Sequence, residues 1–175
     1  MYSFRFASLD DVDNIVALVE SAYRGDASRK GWTTEADLLS GQRTDNDEVS
    51  RLIAESSSYI LLCENQAELL GSVHLINDSE SAYLGMFAVN PCQQSKGIGS
   101  LLLAEAEKYV FQQWQCLSLK MSVISLREEL IAWYQRRGFT VTGETLAFPY
   151  GDERYGIPER DDLEFCVLKK HEFYS

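Results

Sequence analysis

The feature that most limits how this chain can fold lies between Val89 and Leu103. There an apolar strand passes through Asn-Pro-Cys-Gln-Gln-Ser-Lys into Gly97-Ile98-Gly99 and on into a long amphipathic stretch. A strand that turns on glycines and restarts as a helix leaves several backbone amides unpaired at the positive end of the helix dipole. That arrangement suits an anion such as a phosphate. Spacing sorts the glycine-rich alternatives. A P-loop needs Gly-x4-Gly-Lys-Ser/Thr, but Lys96 precedes its glycine and no glycine stands five residues before Gly97. A dinucleotide fingerprint needs a third glycine at 102, which is Leu102, and an acid about 20 residues on, where Lys120 to Ile124 supply none.

What remains is Gln94-x-x-Gly97-x-Gly99, preceded by Val89-x-Pro91 and followed by Leu102. It resembles the coenzyme A pyrophosphate loop of the GNAT superfamily of N-acetyltransferases. About thirty residues downstream, Leu130-Ile-Ala-Trp-Tyr134-Gln-Arg-Arg-Gly138-Phe139 resembles the second GNAT signature, a short helix bearing a tyrosine and closed by Gly-Phe. Two motifs in this order are far more specific than either alone, and the matching element order runs from about residue 3 to 169.

The pattern along the chain agrees. Tyr2 to Ala7 alternates as a strand should, and Ser8 with Asp11 marks the start of a helix whose apolar face is Val12, Ile15, Val16, Val19, Ala22 and Tyr23, ending near Gly25. Residues 25 to 46 form a polar, lid-like region with a short helical piece around Thr34 to Leu39, and a helix is expected from Asp47 to Glu55. Tyr59 to Cys63 and Glu68 to Ile76 read as a hairpin. Ala82 to Val89 is the strand entering the glycine loop. The main helix follows to about Trp114, with Ile98, Leu101, Leu102, Ala106, Tyr109 and Val110 towards the core. The strand Leu117 to Ile124 should lie parallel to Ala82 to Val89 through a right-handed crossover. After the helix Arg127 to Arg137 come a strand from Phe139 to Leu146, a polar loop from Phe148 to Asp161 and a last strand from Leu163 to Leu168. With the resemblance, this order implies an α/β (α+β) fold in one domain over residues 1–175. Its sheet is mixed and mostly antiparallel, with six to seven strands, a central parallel pair splayed at the acetyl-CoA site and about four flanking helices.

At 45% apolar residues the chain can bury one good core. A net charge of −11, from 27 acids against 16 bases, argues against nucleic acid and favours cationic partners. No run approaches the length of a membrane span, and no secretory leader opens the sequence, so a cytoplasmic protein is expected. Four scattered cysteines and two histidines support neither zinc nor a disulfide framework, and no metal is expected. The expected partner is a small-molecule amine, with no nucleic acid and no membrane, and at most a second copy of the chain in a homodimer.

The resemblance implies transfer of an acetyl group from acetyl-CoA, as co-substrate, to an amine by direct attack through a tetrahedral intermediate. Gln94, Ser95, Lys96, Gly97, Ile98, Gly99 and Ser100 would hold the pyrophosphate, and the backbone of Phe87, Ala88 and Val89 would pair with the pantetheine arm as an added strand. Tyr134 matches the family's tyrosine. Its phenol, ordinarily near pKa about 10, would protonate a leaving thiolate whose conjugate acid lies near about 8.5. The family often has a glutamate in the strand before the loop, but Tyr83 to Val89 holds no acid. His74 is the candidate base, beside proton loss to water. Arg127 stands where the family often has an asparagine and would reach a phosphate. For the acceptor, Tyr150 and Asp152 in an acidic loop suit an amine cation. Tyr23, Arg24, Trp32 and Glu35 lie where family members often shape the acceptor pocket, and Arg24 would equally suit a carboxylate. Two other readings stand beside this one: a non-catalytic acyl-CoA sensor, and an acidic interaction module for a basic protein.

Overall fold

The computed structural model describes residues 1–172. The chain begins with β1 (Tyr2–Phe6), α1 (Val12–Tyr23), the single turn α2 (Gly25–Ser28), β2 (Leu39–Ser40) and α3 (Asn46–Ala54). The meander β3 (Ser58–Asn65), β4 (Glu68–Asp78) and β5 (Ser81–Val89) leads into α4 (Ile98–Glu107). Then come β6 (Ser118–Ile124), α5 (Glu128–Gln135), β7 (Thr140–Ala147), β8 (Ile157–Pro158) and β9 (Glu164–His171). Seven strands make one sheet in the order β1-β3-β4-β5-β6-β9-β7, and β2 pairs with β8 apart from it. Within the large sheet β5 and β6 run parallel and the other neighbours antiparallel, as the sequence implies.

Both faces of the sheet are covered, so its inner strands read as unbroken apolar runs. The period of two still divides them. On β3, Leu61 and Cys63 join the core beneath α4, while Ile60 and Leu62 pack with Ile15, Val19, Val49 and Leu52 of α1 and α3. A turn of 3₁₀ helix at Leu9–Asp11 precedes α1, and the expected cap is there: the Ser8 amide donates to Asp11 Oδ2 at 2.8 Å. Arg5 grips the same carboxylate with two bonds of 2.8 Å and lowers its pKa to about 2.

Three expectations are corrected. The stretch around Thr34 to Leu39 makes turns and then β2, and the helical turn falls earlier, at α2. The 148–161 loop carries β8, whose partner is β2, with Leu39 opposite Pro158 and Ser40 opposite Ile157. On α4 Leu101 is 45% exposed and Leu103 takes the core position. That helix then widens into π turns over Lys108–Gln113, which shifts the phase of its later side chains.

Two features open the sheet. β5 and β6 pair at Ser81–Tyr83 with Ser118–Lys120 and then part. Just beyond, the β4–β5 register slips between Ser72 and His74, so Met86 and Phe87 together oppose Val73, and Met86 takes a positive φ of 47°. A bulge of this kind bends its strand and raises the local twist. The split therefore lies where the strand feeds the glycine loop.

Candidate active site

Gly97 has φ 84°, a left-handed conformation that suits glycine, and α4 starts immediately after it. The first intrahelical bond runs from the Leu101 amide to Gly97 O at 3.1 Å. The amides of residues 98–100 thus lie ahead of the helical ladder, where an anion is stabilised. Across the split, α5 ends in the Gly-Phe closure. Gly138 has φ 95°, and the Phe139 amide returns to Tyr134 O at 3.2 Å.

Between these ends lies a cleft of about 660 Å³, walled by Phe87, Val89, Gln94, Ser95, Gly97, Gly99 and Ser100 on one side and by Trp133, Tyr134, Arg136 and Arg137 on the other. A second chamber of about 350 Å³ opens through the split sheet between β5 and β6. Tyr23, Phe87, Arg127, Leu130 and Tyr134 belong to the walls of both, so the two chambers meet there.

Tyr134 is 3% exposed, with its ring edge-on to Trp133 at 5.0 Å and to Phe139 at 5.6 Å. Burial, and then the neighbouring Tyr23, push its phenol far above the ordinary value, so it holds its proton throughout the neutral range. Tyr23 is likewise raised by burial, and its hydroxyl donates to Phe87 O at 2.5 Å, fixing the backbone beside the bulge.

The residues expected to hold phosphate separate into groups. Gln94, Ser95, Gly97, Gly99, Ser100, Phe87 and Val89 line the cleft. The side chains of Ile98 and Ala88 are buried in the cores on either face of the sheet, which leaves their backbones for a ligand. Lys96 lies outside the cleft wall, with its ammonium on Gln93 Oε1 at 3.0 Å. Arg127 lines the cleft, but its guanidinium is committed elsewhere, to Glu35 Oε2 at 2.9 Å and to Thr33 O. Glu35 also accepts from Arg24 at 2.5 Å, so Arg24, Glu35 and Arg127 form a buried ionic triad tying the 24–40 segment to the start of α5. Burial pushes the Glu35 carboxyl up, but Arg127, Arg24 and Arg43 outweigh it and hold it below its usual value. A cation that sequence reading missed, Arg137, stands at the α4 terminus. It lies 3.6 Å over the Trp133 ring and donates to Ser100 Oγ at 2.7 Å. The signal was the Arg136-Arg137 pair set directly before the Gly-Phe closure of the tyrosine helix.

Among the expected acceptor residues, Tyr23 and Arg24 line the second chamber, whereas Trp32 lines the first, 6.3 Å from Trp133. Tyr150 and Asp152 lie outside both walls. The Tyr150 hydroxyl is bound to its own loop, donating to Arg160 O and accepting from the Leu163 amide, and Asp152 pairs with Arg154. Exposed Cys92 is also outside both walls.

His74 lies away from both chambers too. It is 7% exposed on the α1/α3 side of β4, outside the walls of both chambers, and shares a 2.8 Å hydrogen bond with Ser58 Oγ. Burial, with Arg43 and Arg51 nearby, lowers its pKa from 6.5 to about 4. The unfolded chain thus binds a proton near pH 6.5 that the folded chain resists down to about 4. This contribution is full above pH 6.5 and is lost as pH falls through that window, by about 3 kcal/mol in all. Urea midpoints between pH 7 and 4.5 should fall more steeply in the wild type than in His74→Gln, and parallel curves would contradict this.

Among the described residues, no cluster of His, Cys, Asp and Glu is arranged to hold a metal, and no helix is long and apolar enough to cross a membrane. A model of the acetyltransferase (GNAT) domain matches residues 27–149. Acetyltransferase PseH of Campylobacter jejuni subsp. jejuni serotype O:2 is 25% identical over 128 residues, covering 68% of this chain and 79% of that protein. The fold is similar to that of an N-acetyltransferase from Staphylococcus aureus Mu50, with TM-score 0.73 and 15% identity over 98% of this chain and 97% of that one. It is also similar to the ribosomal-protein-S18-alanine N-acetyltransferase of Escherichia coli, with TM-score 0.72 and 14% identity over 100% and 96% of the two chains. The family match spans most of the chain, and it includes both the glycine loop and the tyrosine helix that faces it: the chain belongs to the GNAT acetyltransferase family.

Proposed function

We propose that the protein moves the acetyl group of acetyl-CoA to a primary amine of a small molecule. The observation that supports this best is the meeting of two chambers at Tyr134, one open to the α4 amides and the other reached through the split sheet. The residues present fit a coenzyme A moiety. A Cβ on Gly99 would meet Trp133 at 3.5 Å and Phe87 at 3.7 Å, so any longer side chain there would take space from the cleft beside the helix terminus. Arg136 and Arg137 line that cleft against the single carboxylate of Glu129, while Arg127 is already held by Glu35, so a small local excess of positive charge remains on a chain of −11.

In this reading the α4 amides and Arg137 hold the pyrophosphate, and the unpaired stretch of β5 beyond Tyr83 takes the pantetheine amides. Acetyl-CoA supplies the acetyl group as a thioester. The neutral acceptor nitrogen attacks the carbonyl directly and a C–N bond forms; as the C–S bond breaks, the departing sulfur takes a proton from the Tyr134 hydroxyl, and the proton the new amide nitrogen gives up returns to the phenol. A phenol raised by burial is a weak acid at rest, but a thiolate in the same dry site is also destabilised, so concerted transfer avoids both free anions. Glu35, the carboxylate in the second chamber, is spoken for by two arginines and is too weak a base for the amine. The ammonium proton of the acceptor therefore leaves to water.

Release of free thiol from acetyl-CoA, followed with a panel of amines, tests the reading. Amine-dependent thiol release with a matching N-acetylated product by mass spectrometry supports it. Amine-independent release would instead mark a thioesterase. Binding without any turnover would restore the sensor reading, and salt-sensitive capture of a basic protein without coenzyme A would restore the interaction module.

A further inference from the structure

The second chamber carries an electrostatic imbalance opposite to that of the whole protein. Its walls include Arg24, Arg43 and Arg127, and the carboxylate among them is Glu35. Glu35 is shared between Arg24 and Arg127, so its charge is already matched more than once. Arg43 adds a third cation. It reaches Glu48 Oε1 at 4.0 Å, and that oxygen already accepts from Thr44 Oγ1 at 2.9 Å. The guanidinium lies 5.5 Å over the ring of Tyr23, a residue in the walls of both chambers. The backbone that carries it is held, because Glu20 Oε1 accepts from the amides of Arg43 and Thr44 at 2.6 and 2.7 Å.

Much of the rest of the chamber wall is apolar, with Met86, Met121, Val123, Ile124, Phe148 and Phe165 prominent beside the hydroxyls of Tyr83 and Ser122. A polyamine or other polycation would have to place its charges among three arginines with no spare carboxylate. An acceptor carrying an oxyanion has a donor fork waiting, and a guanidinium in a partly dry chamber binds carboxylate or phosphate far better than one in open water. The excess of acids in the sequence points the other way, towards cationic partners, but those acids are not in this wall.

We infer that the acceptor is an amine that also bears an anionic group, a carboxylate or a phosphate, and that Arg43 binds that group while the amine points to Tyr134. This rests on the acetyltransferase reading above and specifies the substrate class of its second chamber.

The test compares matched acceptors differing only in the anion: phenylalanine against phenylalaninamide and phenethylamine, and glucosamine 6-phosphate against glucosamine, with spermidine as the polycation. Each is assayed for thiol release and titrated calorimetrically into the protein saturated with coenzyme A. At least one anionic member should exceed its neutral partner in kcat/KM by about ten- to hundredfold, the worth of one charge-assisted hydrogen bond. The pair that shows the preference says whether carboxylate or phosphate is the source. Arg43→Gln should shrink that ratio to within about threefold by raising KM rather than lowering kcat, and Arg43→Lys should keep most of it. Preference for neutral amines or spermidine, or a ratio that survives Arg43→Gln, would overturn the inference and leave acetyl transfer standing. Anionic members that neither react nor bind to the coenzyme-saturated protein would overturn it as well. Failure of the coenzyme itself to bind would instead strike the underlying reading.

Discussion

Replacing Tyr134 with Phe is expected to lower kcat by about a hundredfold or more, the usual worth of a positioned general acid. The ring stays, and with it the edge contacts to Trp133, Phe139 and Phe87, so the variant should bind acetyl-CoA and unfold much as the wild type does. The loss should persist across pH 7 to 9, because burial keeps the phenol protonated well beyond that range and its titration plays no part in the profile. Steady-state rates at saturating acceptor check this. Unaltered kcat in Tyr134→Phe would remove the tyrosine from the chemistry and leave it a packing residue.

The second large effect concerns stability. Glu35→Ala strips the shared partner from Arg24 and Arg127, whose side chains are 4% and 9% exposed. Breaking a buried pair by removing one member costs about 3–5 kcal/mol, because the remaining charge is left uncompensated in a dry place. Here two cations lose the same carboxylate, so the upper part of that range is expected from urea unfolding. The damage should extend to catalysis, since Arg127 lines both chambers and also holds Thr33 O over the first. Replacing all three residues with apolar ones of similar size should restore much of the stability, because the desolvation cost of three charges disappears with them. A drop below about 1 kcal/mol in Glu35→Ala would show that the triad is solvated and contributes little.

The same triad explains why the sequence reveals some parts of the site and hides others. Gly97, Gly99 and Tyr134 belong to short motifs whose backbone demands are local: a left-handed residue before a helix, a missing side chain beside a cleft, a helix closed by Gly-Phe. Such demands are written within ten residues, and the strand, loop and helix around them could be placed without coordinates. The partner of Arg127 lies 92 positions away, so nothing near Arg127 signals that its charge is already committed. His74 misled for a related reason. Its strand is covered on both faces, and without a polar face no alternation shows which side of the sheet a histidine meets. Tyr150 and Asp152 looked suited to an amine because the loop is acidic, yet neighbouring arginines two residues along absorb those charges locally at Asp152 and Asp162. The loop motif assigns Gln94 to the phosphate, but its side chain bonds the Trp32 amide at 2.9 Å and Thr33 Oγ1 at 2.7 Å. It clasps the segment that covers the cleft, a long-range contact that the loop motif does not encode.

Acetyl transfer by this protein requires acetyl-CoA to occupy the cleft between the α4 terminus and α5. Calorimetric titration of acetyl-CoA into the wild type and into Gly99→Trp tests this, because a side chain at 99 starts in contact with Trp133 and Phe87 and an indole there would occupy the cleft. Saturable binding of one ligand per chain, lost in the variant, is the result expected. Absence of binding at millimolar acetyl-CoA, or equal binding by both proteins, would contradict the account.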